Sequence, residues 1–336
     1  MKLNLNKLLV ISGTIAFICA IAFVVWWNKD GIVISKNDDD INAKEGVTSS
    51  ISGVACENAK ERPIAVMMAG DHEAKPLSGI SQADMVFEMP VAPNGITRFM
   101  AVYQCGNPRE IGSIRSARND FIPLASGLNA IYAHWGGERD ALEKLDNKIL
   151  DNVDALKYEG STYYRKRGAK PPHNGFTSLE LLRGKAKELS YNLDDKFEGY
   201  PRADKIDSRS LANLAAYLDV GYKEEPFNSV WRYDSEKGVY KRARNNKPEL
   251  DKIDGEQVSA SVVIVMETTS SFIRDQYIKV DVQGQGSVKI YQGGVMISGQ
   301  WKKDPSNLGS KLYFLDEKGQ ELKLLPGKIW IEIVTK

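Results

Sequence analysis

The sequence predicts an α/β or α+β domain followed by a smaller all-β domain, the whole preceded by one membrane-spanning helix. Three observations lead there. Leu8–Trp27 carries no charged residue and matches the ~20 apolar residues that a helix needs to cross a bilayer. Between residues 63 and 205, short apolar runs alternate with stretches of helical period, the pattern of strands interleaved with helices. From 217 to 336, β-type runs follow one another between Asp, Gly, Asn, Lys and Pro turns, as in a sandwich or barrel.

The bulk properties agree. A chain of 336 residues has room for two domains, and 42% hydrophobic with 26% charged residues is a globular composition. A formal net charge of +1 supplies no whole-chain basic field, so no nucleic-acid partner is expected and ligand electrostatics must be local.

Lys2 and Lys7 precede the apolar run, and Trp26 and Trp27 sit where an interfacial aromatic belt would lie. The positive-inside rule puts residues 1–7 in the cytoplasm, 8–27 in the cell membrane as a single-pass anchor, and the bulk of the chain outside. Val-Val-Trp-Trp is a poor cleavage site, and Cys19, preceded by Phe17-Ile18 and followed by more apolar residues, is a poor lipidation site. Residues 28–62 are polar and without sustained period, which reads as a flexible tether. Cys56 and Cys105 are then the only cysteines outside the cytoplasm and the membrane. In an oxidising compartment such a pair is expected to be bridged.

The folded part opens at Pro63. Ile64–Met68, Asp84–Met89 and Ile96–Gln104 read as strands, the last two separated by the turn signal Pro93-Asn94-Gly95. Ile111–Gly137 then passes from a Gly112-Ser113 turn through Arg115 and Arg118 into an apolar helix. It continues through a short strand, Ala130–Ala133, to His134-Trp135-Gly136-Gly137. Glu138–Asn147 and Thr177–Leu189 read as amphipathic helices, the second capped by Thr177 or Ser178. Between them lie the basic loop Tyr163–Lys170 and Pro171-Pro172-His173-Asn174. A connecting helix is expected within 206–216, and the β-rich domain runs from 217 to 336.

Several segments together resemble a known family. They include Arg62-Pro63-Ile64-Ala65-Val66-Met67, the stretch from Pro76 to Asp84, and Gly95-Ile96-Thr97-Arg98-Phe99. The stretch from Ile111 to Arg118, His134-Trp135-Gly136-Gly137, Pro172-His173-Asn174 and the tail from Pro326 to Ile331 complete the set. In their order they are similar to the YerB-like family of bacterial cell-envelope proteins, many of them lipoproteins, built from an N-terminal and a C-terminal domain of unknown function. The resemblance covers about residues 60–336. It implies a place on the outer face of the cytoplasmic membrane and a connection with cell-wall assembly. Met68-Ala69-Gly70-Asp71 departs from the asparagines that the family tends to carry there.

The candidate chemistry centres on Ile111–Gly137. Arg115 and Arg118, three apart, would share a helix face near its N-terminus, where exposed N–H groups and the dipole favour anions. With Arg98, Ser116, His134, Gly136, Gly137, His173 and Asn174 they make a candidate phosphate or carboxylate site. The plainer alternative is that each arginine pairs with a carboxylate such as Asp84, Glu88 or Asp120. His134 and His173 have the chemistry of general acid–base groups at neutral pH, and Glu88 at a strand end that of a base. Structural roles, holding loops or pairing charges, compete for all three. The histidines lack zinc-ligand spacing, no Gly-x-Ser-x-Gly elbow is present, and neither metal nor cofactor is expected. The expected function is therefore a non-enzymatic binding or regulatory module for a cell-wall polymer or a membrane-bound wall-synthesis protein. The alternative is an extracytoplasmic hydrolase or transferase acting on a phosphate- or glycan-containing substrate.

Overall fold

The computed structural model describes residues 46–336 apart from 206–213, 223, 225 and 226. The expected membrane anchor at 8–27, with its flanks, lies outside the described residues. Among the described residues no helix is long and apolar enough to cross a membrane.

The fold is mixed α/β around one large sheet. Its strands in chain order are β1 (Ile64–Ala69), β2 (Met85–Pro90), β3 (Thr97–Tyr103), β4 (Ile131–His134) and β5 (Asn152–Asp154) from the first half. The second half adds β8 (Val262–Thr268), β11 (Gly284–Gln292), β12 (Val295–Lys303), β13 (Tyr313–Leu315) and β14 (Ile329–Thr335). Between the two sets come β6 (Ser229–Asp234) and β7 (Val239–Arg244), which belong to a smaller sheet. The strands β9 (Ser270–Arg274) and β10 (Tyr277–Val280) pair as a separate hairpin. Across the large sheet the order is β13-β12-β11-β8-β14-β2-β3-β1-β4-β5.

This order corrects one expectation. The second half is strand-rich, but its strands do not close a sandwich or barrel of their own: five of them continue the first half's sheet. The seam is the parallel pair β2–β14, with Met85 opposite Ile329 and Phe87 opposite Ile331. Both strands are buried along nearly their whole length, so neither can serve as an exposed edge. Strands covered on both faces read as continuous apolar runs, and an uncovered edge of that kind would template association. Residues 47–336 accordingly form a single compact unit.

The pleat divides the core into two layers. Alternation along β1 sends Ala65 and Met67 to one face, and Ile64, Val66 and Met68 to the other. Helix α1 (Phe121–Gly127) lies in the first layer through Phe121, Ile122 and Leu124. α2 (Arg139–Asp146) contributes Ala141 and Leu145 to the same side, and α3 (Ala155–Tyr158) is a single turn. α4 (Leu179–Glu188) packs Leu179, Leu182 and Ala186 into the second layer, and its Ser178 cap accepts a hydrogen bond from the Leu181 N–H at 3.2 Å.

The tether expected at 28–62 does not extend through its C-terminal part. Ile51 is fully buried, and Ser49 donates its hydroxyl to Gln104 Oε1 at 2.5 Å. Cys56 is bridged to Cys105 with a Cα–Cα distance of 5.7 Å. These polar residues are ordered because their hydroxyls and the disulfide fasten them to the end of β3. In the expected helix at 206–216, residues 206–213 lie outside the described residues. Leu214, just beyond them, bridges Val295 and is not helical.

Candidate functional site

The segment Ser113–Arg118 corrects a second expectation. Arg115 and Arg118 do not stand on a helix. Their backbone is extended between β1 and the loop after β4, because its polar groups are used sideways. The Arg115 N–H donates to the Met67 carbonyl at 2.9 Å, and the Arg115 carbonyl accepts from the Trp135 N–H at 3.0 Å. The Ala117 N–H donates to the Gly136 carbonyl at 2.9 Å, and the helix begins only at Phe121. Gly70, at the end of β1, fits because a Cβ there would stand 2.2 Å from the Thr97 carbonyl oxygen. Asp71 follows it into the site.

Three guanidinium groups converge here. Arg98, on β3 opposite Ala69, is 3% exposed and donates Nη1 to the Ser116 carbonyl at 3.0 Å. Burial, and then the charges of Arg118 and Arg115, push its pKa down to about 9. Arg115 has Asp71 Oδ2 at 3.7 Å, and Arg118 has Glu138 Oε2 at 3.9 Å, both beyond hydrogen-bond distance. The Nε atoms of all three arginines are buried without an acceptor. Asp71 Oδ2, Asn119 Oδ1, the Tyr132 hydroxyl and His173 Nδ1 are likewise buried with no hydrogen-bond partner. Arg118 also lies 5.1 Å from the ring centroid of Tyr277 on β10. Native proteins pair the great majority of buried polar atoms, so this many in one place is a concentration, although Arg183, Arg242 and Arg244 also leave Nε unpartnered. Fork-shaped donors of this kind match carboxylate and phosphate oxygens.

The remaining predicted residues divide. His173 joins the cluster: it is half-buried, its pKa is lowered by desolvation, and it senses Asp71, Arg115, Glu73 and Arg98. His134 does not. Its ring is fully buried, with Nδ1 2.8 Å from the Gly136 carbonyl and Nε2 3.3 Å from Asn152 Oδ1. Both nitrogens face buried oxygens of the protein itself, the setting of an imidazole that holds a loop. Gly136 takes φ +59° and donates its N–H to Asp154 at 2.8 Å. Gly137 packs against Ala117, where an added Cβ would come within 3.0 Å of that methyl. Ser116 offers its carbonyl to Arg98. Asn174 accepts from Arg165 at 3.0 Å, and that guanidinium lies 4.1 Å from the Trp135 ring centroid.

Glu88 is placed elsewhere, in a buried ion network. Arg242 on β7 is fully buried and pairs with Glu88, with Glu249 at 2.6 Å and with Glu332 at 3.4 Å. Arg244 reaches Glu88 at 2.8 Å, and Lys75 pairs with Glu249. The rings of Trp330, Phe99 and Trp231 enclose the Arg242 guanidinium at 4.6–5.5 Å. Burial, and after it the neighbouring Glu88, push Glu332 up to about 7, although Arg242 opposes the shift. A carboxylate held by two arginines and by the Thr97 hydroxyl at 2.5 Å is a structural group. It is not a free base.

Sequence reasoning missed Asp71, Asn119, Tyr132, Glu138 and Tyr277. Their one visible signal is adjacency: Asn119 and Glu138 flank the expected arginine and Gly-Gly motifs. A cavity of about 560 Å³, lined in part by Ser52, Asp84, Cys105, Ser259, Ser261 and Lys328, lies apart from the arginines. It gathers no comparable set of unpartnered charges, so the arginine cluster is the better candidate.

Comparison with known proteins fits this architecture. Residues 51–192 match the family model described as the N-terminal domain of a protein of unknown function (DUF3048), and residues 218–331 match the corresponding C-terminal domain. The chain is 28% identical over 324 residues to a Bacillus subtilis (strain 168) protein described as "Putative lipoprotein YerB", covering 94% of each. The crystal structure of YerB from Bacillus subtilis superposes with a TM-score of 0.77 at 28% identity, covering 86% of this chain and 97% of that one.

Proposed function

The chain belongs to the YerB-like family, whose two domains it carries in order, and from that premise we propose that it is a cell-envelope module that binds an anionic group. Arg98, Arg115 and Arg118 hold the anion, with Asn119, Tyr132 and His173 around them. The observation that carries this reading is that three buried guanidinium Nε groups converge without an acceptor. In water such donors would be hydrated. Buried and close together they repel one another, and an anion relieves both terms. The relative described as a lipoprotein supports a membrane-associated place in the envelope, and the apolar run 8–27 would tether the chain there. The natural source of the anion is a wall polymer or a wall-synthesis protein at that surface.

The test is thermal unfolding of the full chain in detergent against rising concentrations of phosphodiester and carboxylate compounds. Ligand at 100 times its Kd stabilises by about 2.7 kcal/mol. The wild type should show such a rise and Arg118→Ala should lose it. Equal midpoints at all concentrations for both proteins would remove the reading.

A further inference from the structure

A cavity of about 380 Å³ opens where residues 72–76 meet residues 244–250 of the second half, and it has the size of a small-molecule site. It shares no residue with the Arg98–Arg115–Arg118 cluster. Three members of the buried ion network line it: Lys75, Arg244 and Glu249. Exposed Lys247 adds a cation, and Pro76, Pro248 and Leu250 add an apolar wall. The polar groups are unequally used. Arg244, 6% exposed, donates Nη2 to Glu88 at 2.8 Å and Nη1 to the Phe227 carbonyl. Its Nε is buried without an acceptor, with Glu249 Oε2 at 3.5 Å. Lys75 donates to Glu249 and lies 5.0 Å from the Phe99 ring centroid, which leaves ammonium protons over. The neighbouring carboxylates are each shared between two cations, Glu88 between Arg242 and Arg244, and Glu249 between Lys75 and Arg242. Burial pushes Lys75 down to about 8. Glu249 and Glu88 oppose the shift, and Arg244 and Arg242 add to it.

We propose that this cavity is a second ligand site and that it takes a small carboxylic acid with an apolar body. The carboxylate accepts from Arg244 Nε and Lys75 Nζ, and the body lies against Pro76, Pro248 and Leu250. Two donors match the two oxygens of a carboxylate. An anion there also supplies the acceptor that Arg244 lacks and favours the charged form of Lys75. The apolar wall selects against a bare ion, which gains nothing from it, and the unused donors select against a purely apolar compound, which leaves them unpaired.

Calorimetry of the full chain at pH 7 tests this with three probes. Phenylacetate carries both the charge and the apolar body, phenylacetamide keeps the shape without the charge, and acetate keeps the charge without the body. The wild type should bind phenylacetate more tightly than either of the others by about tenfold, the scale of one hydrogen bond to a charged group. Arg244→Met should weaken phenylacetate about tenfold and leave phenylacetamide unchanged. Should that variant fail to fold, Lys247→Glu, at an exposed position, places a carboxylate at the cavity and should act in the same direction. Arg118→Ala, in the other cluster, should leave phenylacetate binding as it is. Phenylacetamide or acetate binding as tightly as phenylacetate overturns the inference. So does phenylacetate binding that survives both Arg244→Met and Lys247→Glu, or that disappears with Arg118→Ala. An absence of phenylacetate binding overturns it as well, and leaves the anion site at Arg98, Arg115 and Arg118 to its own test.

Discussion

Replacing Arg242 by methionine perturbs the seam between the two halves at a fully buried charge. The side chain is inaccessible to solvent and lies among three aromatic rings, so an apolar residue of similar length can fill the space. The consequences for its three partners differ. Glu88 keeps Arg244 at 2.8 Å, and Glu249 keeps Lys75. Glu332 loses its guanidinium and retains only neutral donors, Trp231 at 2.9 Å, Tyr222 at 3.0 Å and Ser229 at 3.3 Å. Stranding one buried carboxylate costs about 3–5 kcal/mol, or roughly 10 °C in Tm for a chain of this size. The penalty applies to the ionised form. Glu332 is already pushed up to about 7, so at pH 5 it is protonated and the cost should shrink. Urea unfolding followed by tryptophan fluorescence at pH 8 and pH 5 measures both values. Arg242→Met/Glu332→Gln should recover most of the loss at pH 8. A single-variant cost below about 1 kcal/mol at pH 8, or an equal cost at both pH values, would refute the reasoning.

Other parts of the fold yield further outcomes. Removing the Cys56–Cys105 bridge, whose cysteines lie 49 residues apart, should destabilise by about 4 kcal/mol in the loop-entropy model; Cys56→Ser/Cys105→Ser unfolding at the wild-type midpoint would contradict this. Burial pushes Asp120 up to about 7 from the ordinary 3.8, so the folded chain holds that proton longer than the unfolded one. Stability contributed by the protonated group should thus fall as pH rises from about 4 to about 7, and Asp120→Asn should flatten that part of the stability–pH curve. His134→Ala should cost about 2–4 kcal/mol through its buried ring and hydrogen bonds. It should leave the anion response per folded molecule unchanged in melting experiments. His173→Ala should do the reverse, weakening the anion response with little loss of stability.

What the sequence reveals depends on how local the cause is. The first four strands of the large sheet and the amphipathic helices at 139–146 and 179–188 are set by residue alternation and capping within a dozen residues, and they read directly. The Cys56–Cys105 pair is legible because compartment chemistry leaves no other partner. The seam is not, since Met85 finds Ile329 across almost the whole folded chain and no short-range pattern encodes that pairing. Arg115 and Arg118 mislead for a related reason. Their three-residue spacing suits a helix, but the Met67 and Gly136 carbonyls take the Arg115 and Ala117 N–H groups and keep the segment extended. Asp71 reaches the site from just past a strand end and Tyr132 from within β4, and their presence there depends on tertiary placement alone. His134 reads as functional because a histidine before Gly-Gly suggests a loop site. In the fold, its ring points into the core, against the Gly136 carbonyl and Asn152.

The most direct test of the anion site observes the three arginine Nε–H groups themselves by nitrogen–proton correlation NMR of the full chain. Arg98→Lys, Arg115→Lys and Arg118→Lys assign the signals. Glycerophosphoglycerol and N-acetylalanine are then titrated in turn. At least one compound should shift all three Nε–H resonances together along a single saturating curve. Three resonances that stay in place with both compounds at saturation would contradict an anion held between Arg98, Arg115 and Arg118.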